Sequence, residues 1–282
     1  MRVIRSSRQM AQAAQRARRQ GRMIGFVPTM GALHEGHLSL IRAARAQTDV
    51  VVVSLFVNPL QFGPTEDYRR YPRTLQRDLR LIRAAGGDAV FAPDVAQIYP
   101  AGFQTYVQVE DLSDRFEGAI RPGHFRGVTT VVMKLLQLVQ PAIAYFGQKD
   151  YQQARIIQRM VADLAVPVTV RVMPTIRETD GLAMSSRNVY LAPPQRRQAT
   201  ALWRALRLGK TRIHHGERRV PHVVKDMRGL LRQERGVRVD YLAIADASTL
   251  EPLKVARGRV VILGAIRHGS TRLIANILVD VS

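Results

Sequence analysis

The chain alternates short apolar runs with stretches in which apolar positions recur every three or four residues. Residues 23–28 read as a buried strand, and 38–46 carry the spacing of a helix. Residues 50–57 are β-branched and apolar, as a central parallel strand should be. In 74–85 the apolar residues Leu75, Leu79, Leu81 and Ile82 share a helical face behind Thr74, a candidate N-cap. The alternation continues with a strand at 88–91, a helix at 128–139, a strand at 143–146, a helix at 151–164 and a strand at 168–173. Such alternation predicts a parallel sheet covered by helices on both faces.

After residue 177 the pattern changes. Two helices, 194–214 and 220–235, precede strands at 237–245, 259–266 and 271–279. The last two strands are joined by His268-Gly269-Ser270, which reads as a hairpin turn. The expectation is an α/β protein: a Rossmann-like, doubly wound parallel sheet over 1–177, then a smaller α+β domain with an antiparallel sheet over 178–282. Ligands of doubly wound sheets sit beyond the carboxyl ends of the strands, where the strand order reverses.

Composition narrows the chemistry. The absence of cysteine excludes disulfides, thiolate zinc sites and cysteine nucleophiles. No apolar run is long enough to span a bilayer, and the Arg- and Gln-rich first 22 residues lack the apolar centre of a secretory signal, so a cytoplasmic location is expected. The formal net charge is +21, and 38 of the 43 basic residues are arginine. These charges are spread out: residues 1–177 hold 24 basic and 13 acidic side chains, and 178–282 hold 19 and 9. There is no long block of like charge and no interleaved aromatic platform, so small anionic substrates are expected rather than specific nucleic-acid binding.

Four strings carry candidate chemistry. In Pro28-Thr29-Met30-Gly31-Ala32-Leu33-His34-Glu35-Gly36-His37 a strand gives way to a glycine-containing loop and then a helix start bearing two histidines three residues apart. The free N–H groups of a helix start attract anions, and two imidazoles there can donate to phosphoryl oxygens. A zinc pair is an alternative, but no third ligand lies at a familiar spacing. In Phe146-Gly147-Gln148-Lys149-Asp150 a strand end presents a lysine for phosphate and an aspartate for ribose hydroxyls. In Gly181-Leu182-Ala183-Met184-Ser185-Ser186-Arg187-Asn188 two hydroxyls and a guanidinium share one loop, as in a phosphate clamp able to close over a substrate. In Phe56-Val57-Asn58-Pro59-Leu60-Gln61-Phe62-Gly63, amides follow the most hydrophobic strand. Each string is also compatible with an ordinary polar loop.

Taken together the strings resemble the pantothenate synthetase family. The first has the HxGH form of the nucleotidyltransferase superfamily, and Met184 to Arg187 is similar to its KMSKS-type loop. The wording PTMGALHEGH, FVNPLQFG, YPRT, FGQKDYQQ and DGLAMSSRN is more specific, and the likeness is dense over 23–191. It implies an ATP-dependent ligase that activates pantoate as an acyl adenylate and joins it to β-alanine.

The resemblance places Met30, Gly31, Ala32, Leu33, His34, Glu35, Gly36 and His37 along ATP, with His34 and His37 at its phosphates and His37 as proton donor. It puts Gly147, Gln148, Lys149 and Asp150 at ribose and phosphate, with Lys149 neutralising the transferring phosphoryl group. Ile176 would touch adenine, and Met184, Ser185, Ser186 and Arg187 would cover the outer phosphates. Gln61 and Gln153, with Asn58 added, would bind pantoate, and Gln61 would later lie near β-alanine. Glu117 and the segment Arg121-Pro122-Gly123-His124-Phe125 resemble the family's loop near pantoate. Mg²⁺ is implied as cofactor, with Asp78 as a protein contact, and a homodimer as the assembly. Two positions depart from the family pattern: Arg77, where an acid is frequent, and Gln148, where glutamate is usual.

Other readings stay open on the residues alone. One is an adenylyltransferase that leaves AMP in its product. Others are an RNA-binding relative of aminoacyl-tRNA synthetases and a nucleotide-binding scaffold without turnover.

Overall fold

The computed structural model describes every residue except Thr65, Ser270 and Ser282. The chain divides into two compact units, Met1–Gly147 with Gln152–Pro174, and Gln148–Tyr151 with Thr175–Ser282.

The first unit contains β1 (Arg2–Ile4), α1 (Ser7–Arg19), β2 (Ile24–Thr29), α2 (Glu35–Arg45), β3 (Val50–Leu55), α3 (Leu75–Ala84), β4 (Ala89–Phe91), α4 (Val95–Ile98), α5 (Glu117–Ile120), α6 (His124–Val139), β5 (Ile143–Gly147), α7 (Tyr151–Asp163, whose first residue groups with the second unit) and β6 (Thr169–Met173). Its six strands run in the order β1-β4-β3-β2-β5-β6, all parallel. The chain winds outward from β2 through β3 to β4, then returns to lay β5 on the other side of β2. The order therefore reverses between β2 and β5, whose carboxyl ends mark the place where such sheets bind ligands.

Strand periodicity of two sorts the core into two layers. Phe26, Val52, Ala144 and Phe146 pack with α1, α6 and α7; Val27, Val51, Val53, Val90 and Tyr145 pack with α2 and α3. The doubly wound parallel sheet is as expected from the alternation of runs. Four elements of this unit were not anticipated: β1, α1 and the short helices α4 and α5. The strand β1 has three residues, and α1 buries only Met10, Ala14 and Ala17, so its apolar face is mostly alanine among arginines and glutamines. Thr74 does precede α3, but its hydroxyl donates to Asp78 at 3.1 Å and makes no cap bond to the helix.

The second unit adds α8 (Pro193–Gln198), α9 (Ala201–His214), α10 (Val220–Arg232) and an antiparallel sheet β7-β8-β9 (Val237–Asp246, Gly258–His268, Thr271–Val281). The single helix expected over 194–214 is two, separated at Ala199 and Thr200. Leu202, Leu206, Met227 and Leu231 of α9 and α10 close a core on Ile244, Ile262 and Ile266 of the sheet. In the hairpin between β8 and β9, His268 pairs with Thr271 and Gly269 has φ 58°, while Ser270 lies outside the described residues. Among the described residues no helix is long and apolar enough to cross a membrane.

Candidate active site

The loop leaving β2 is built around one buried carboxylate. Asp78, on α3, is 1% exposed, and its two oxygens accept the N–H groups of Ala32 and Leu33 at 2.9 Å each, while the Thr74 hydroxyl donates to both at 3.1 Å. Ala32 sits at φ 51°, a left-handed conformation that a residue with a Cβ adopts at a cost of about 1 kcal/mol. The charge-assisted bonds to Asp78 offset that strain. Arg77 holds the same loop from its carbonyl side, donating to Leu33 O at 3.0 Å. Asp78, expected as a metal contact, thus holds this loop, and the guanidinium beside it braces the same segment.

His34 caps α2 and His37 stands in its first turn, with ring centroids 4.1 Å apart. The His34 N–H donates to His37 Nδ1 at 3.4 Å. An Nδ1 that accepts leaves the proton of the neutral ring on Nε2, so His37 is set up as a donor away from its own backbone. Helix polarity adds positive potential at the same place. Met30, Gly31, Glu35 and Gly36 complete this stretch, so all the residues of the first string line one strand-to-helix turn.

The next strand end carries the amides. Asn58 is 1% exposed and its hydrogen-bonding capacity is engaged within the fold: Nδ2 donates to Gln61 Oε1 at 3.2 Å and Gly127 O at 3.0 Å, and Oδ1 accepts from Leu60 N and Tyr99 Oη at 3.3 and 2.8 Å. Asn58, expected among the pantoate contacts, is thus tied into the fold and bonded to the Gln61 side chain. Gln61, half-buried, turns its Nε2 toward Met30 Sδ at 3.2 Å, which brings the first and fourth strings together. Helix α6 reaches this turn through Gly127, where an added Cβ would lie 2.2 Å from Leu60 O.

A charged cluster fixes the backbone of Gln61. Its carbonyl accepts from His124 Nδ1 at 2.8 Å and Arg121 Nη2 at 3.2 Å. Arg121 also makes a two-point pair with Glu66, both bonds 2.6 Å. Burial, and then the neighbouring Arg121 charge, push the His124 imidazole down to about 4. Neutral His124 donates from Nδ1 and accepts Arg121 Nη1 at Nε2, 3.1 Å away. For Glu66 burial acts upward, but the hydrogen bonds and charge of Arg121 outweigh it and leave the carboxyl below its usual range. Gln153 is half-buried on α7; its neighbour Gln152, buried, is structural, accepting from Glu117 N at 3.1 Å and donating to Leu112 O and Arg115 O at 2.8 and 2.7 Å.

In the second unit, Gln148, Lys149 and Asp150 form a single 3-10 turn after the Gly147 end of β5. Lys149 Nζ lies 3.3 Å from Asp150 Oδ1 in a partly exposed pair, weak enough for an anionic ligand to redirect the ammonium. The Gln148 side chain donates to Asn276 Oδ1 at 3.2 Å, and Tyr151 Oη donates to Ala247 O at 2.7 Å. Gln148 thus makes a neutral amide contact.

The 177–188 segment is a small hairpin. Arg177 bridges Ala183, and Met184 N donates to Ile176 O at 3.0 Å, so the adenine candidate and the start of the clamp are adjacent. Ser185 accepts from Arg187 N at 3.3 Å, and Ser186 and Arg187 follow in a 3-10 turn. Gly181, at φ 91°, lets the backbone lie on Trp203, where a Cβ would meet the ring at 2.2 Å. Arg177 stacks on the same indole, 3.5 Å from the ring centroid, and desolvation pushes its guanidinium down to about 10. Trp203, Asn276 and Tyr99 were missed as supports. The available signals were a lone tryptophan and an asparagine inside a β-branched strand, where asparagine is depleted.

The doubly wound sheet, whose order reverses between β2 and β5 and which carries paired imidazoles at the helix start after β2, is of the class that binds ligands at the carboxyl ends of its strands. Sequence comparison makes this specific. The family model described as Pantoate-beta-alanine ligase matches residues 2–278, and the chain belongs to that family. It is 58% identical to the pantothenate synthetase of Moorella thermoacetica over 94% of both chains, and 51% identical to that of Heliobacterium modesticaldum over the full length of both. Its fold is similar to that of the Thermus thermophilus pantothenate synthetase, with TM-score 0.94, 49% identity and 98% and 99% of the two chains covered. The pantoate-beta-alanine ligase of Francisella tularensis, solved in complex with beta-gamma ATP and beta-alanine, matches with TM-score 0.82 and 35% identity over 99% and 97% of the chains.

Proposed function

We propose that this chain condenses (R)-pantoate with β-alanine at the expense of ATP, giving pantothenate, AMP and pyrophosphate. The observation that carries the reading is the His34–His37 pair at the start of α2, on a loop immobilised by Asp78. A pantoate carboxylate oxygen forms a bond to the α-phosphorus of ATP as the bond to the β-phosphate oxygen breaks, and pyrophosphate leaves. The amine of β-alanine then attacks the acyl carbon; the acyl–oxygen bond breaks, AMP leaves, and the amine gives up a proton. No enzyme nucleophile is needed, so catalysis rests on positioning and on charge stabilisation.

In this reading His37 donates from Nε2 to oxygens of the transferring phosphoryl group, and His34 acts beside it. Lys149 neutralises charge on that group, with Gly147, Gln148 and Asp150 along ribose and phosphate. Ile176 lies at adenine, and Met184, Ser185, Ser186 and Arg187 at the outer phosphates. Gln61, its amide pre-aimed by Asn58, and Gln153 bind pantoate through hydroxyls and carboxylate.

Mg²⁺ comes with the nucleotide. The ion would be held mostly by phosphate oxygens and water, with Asp78 as the protein side chain nearest in role. A cytoplasmic homodimer that binds neither membrane nor specific nucleic acid completes the proposal.

The test is pyrophosphate release from ATP and Mg²⁺ with pantoate alone, followed by AMP release on adding β-alanine. Pyrophosphate at the first addition and AMP only at the second is the expected result. Silence toward pantoate would remove the substrate assignment and favour an adenylyltransferase of another kind.

A further inference from the structure

We propose that Asn276, in the middle of β9, is a positioning residue for Lys149. The proposal rests on Lys149 acting at the phosphoryl group as above. Asn276 is 2% exposed, and a buried amide costs free energy unless its donors and acceptor are all used. Here all are used, and all on one turn. Nδ2 donates to Gln148 O at 2.8 Å and to Lys149 O at 3.0 Å, and Oδ1 accepts from Gln148 Nε2 at 3.2 Å.

The two carbonyls belong to the peptide planes on either side of the Lys149 Cα. Peptide units are rigid, so fixing both planes fixes the two backbone dihedrals of Lys149 and the direction in which its side chain leaves the chain. The Lys149–Asp150 ion pair is partly exposed and worth little, so it does not supply this constraint. Few side chains can replace Asn276. Aspartate has no donor, serine has one, and leucine fills the space with neither.

The same strand residue also reaches the hairpin. Its own carbonyl accepts from Arg177 Nη2 at 3.2 Å, and Arg177 Nη1 donates to Gly181 O at 3.2 Å while its guanidinium stacks on Trp203. Asn276 thus ties the turn that bears Lys149 to the base of the hairpin that bears Met184 to Arg187.

The test is a double-mutant cycle on pantoate-dependent pyrophosphate release, using Asn276→Asp, Asn276→Ser, Lys149→Ala and the combined variants. Asn276→Asp turns a carboxylate toward two carbonyls, and Asn276→Ser keeps one donor without burying a charge. The serine variant carries the test if the aspartate variant does not fold. The kcat for adenylation should fall about 10- to 100-fold, the scale of a misplaced catalytic group, with KM for ATP changed less than about threefold. In the Lys149→Ala background the same substitutions should cost less than about twofold, because the group they position is gone. Wild-type kcat in both single variants, or losses that multiply with Lys149→Ala, would overturn the proposal. A wild-type chain that never adenylates pantoate fails the functional reading first, whereas an active wild type with indifferent Asn276 variants fails this proposal alone.

Discussion

The loop after β2 and the turn after β5 are each held by one buried side chain bonded to two consecutive backbone groups, but with opposite polarity. Asp78 accepts from the N–H groups of Ala32 and Leu33, whereas Asn276 donates to the carbonyls of Gln148 and Lys149. The first arrangement uses an ion and sits in a unit where the Glu66–Arg121 ion pair and a neutral His124 also fix the geometry. The second uses a neutral amide, reinforced by an arginine on an indole. By this contrast the first unit's loops should respond to pH and to loss of charge, and the second's to loss of shape and donor count.

The largest effect expected is from Asp78→Ala. It leaves two buried N–H groups and a left-handed alanine without their acceptor, and should cost about 3–5 kcal/mol in urea unfolding, with adenylation lost alongside. Acid comes next. The folded pKa of His124 is depressed, so its contribution is complete above the unfolded value near 6.5 and is lost as pH falls through about 4. That is on the order of 3 kcal/mol from the first unit, while the carboxyls of Asp180 and Asp246 in the second are held below their usual range. Hydrogen exchange at pH 7 and pH 4.5 should show α6 opening before β7 and β8. The reverse order would erase the contrast, and His124→Asn should flatten the slope.

The third effect is catalytic: His37→Ala should lose about 100-fold or more in pyrophosphate release with the fold intact, the scale of a general acid or oxyanion donor. Gln61→Ala should then weaken pantoate about tenfold in calorimetry while leaving ATP nearly unchanged; parallel loss of both ligands would count against its role. The smallest effect is in the second unit. The partly exposed Arg196–Asp180 pair, 2.6 Å, should be worth under about 1 kcal/mol when Arg196 is replaced by alanine, and should fade in salt.

The sites were legible where chemistry and secondary structure coincide in a few consecutive residues. His34 and His37 follow β2, and Lys149 follows β5, so strand, turn and side chain could be read together. Their supports could not. Asp78 read as a metal contact, and its part in holding the loop is visible only in its bonds to Ala32 and Leu33. Asn58 read as a ligand contact, and its ties to Tyr99 and Gly127 are likewise visible only in the folded chain. The alanine face of α1 carries too little apolar contrast to stand out from its arginines.

Local sequence was enough for the strand–helix alternation, the change to an antiparallel sheet after the first two-thirds, and the strand ends that carry the candidate residues. Periods of two and near four are local properties, set by backbone geometry over a few residues. Which side chains hold these loops was settled by packing. Asp78 meets its partners 46 and 45 residues away, and Asn276 meets Gln148 at a separation of 128. No local period encodes a hydrogen bond across that distance, because it forms only after packing has brought the two segments together.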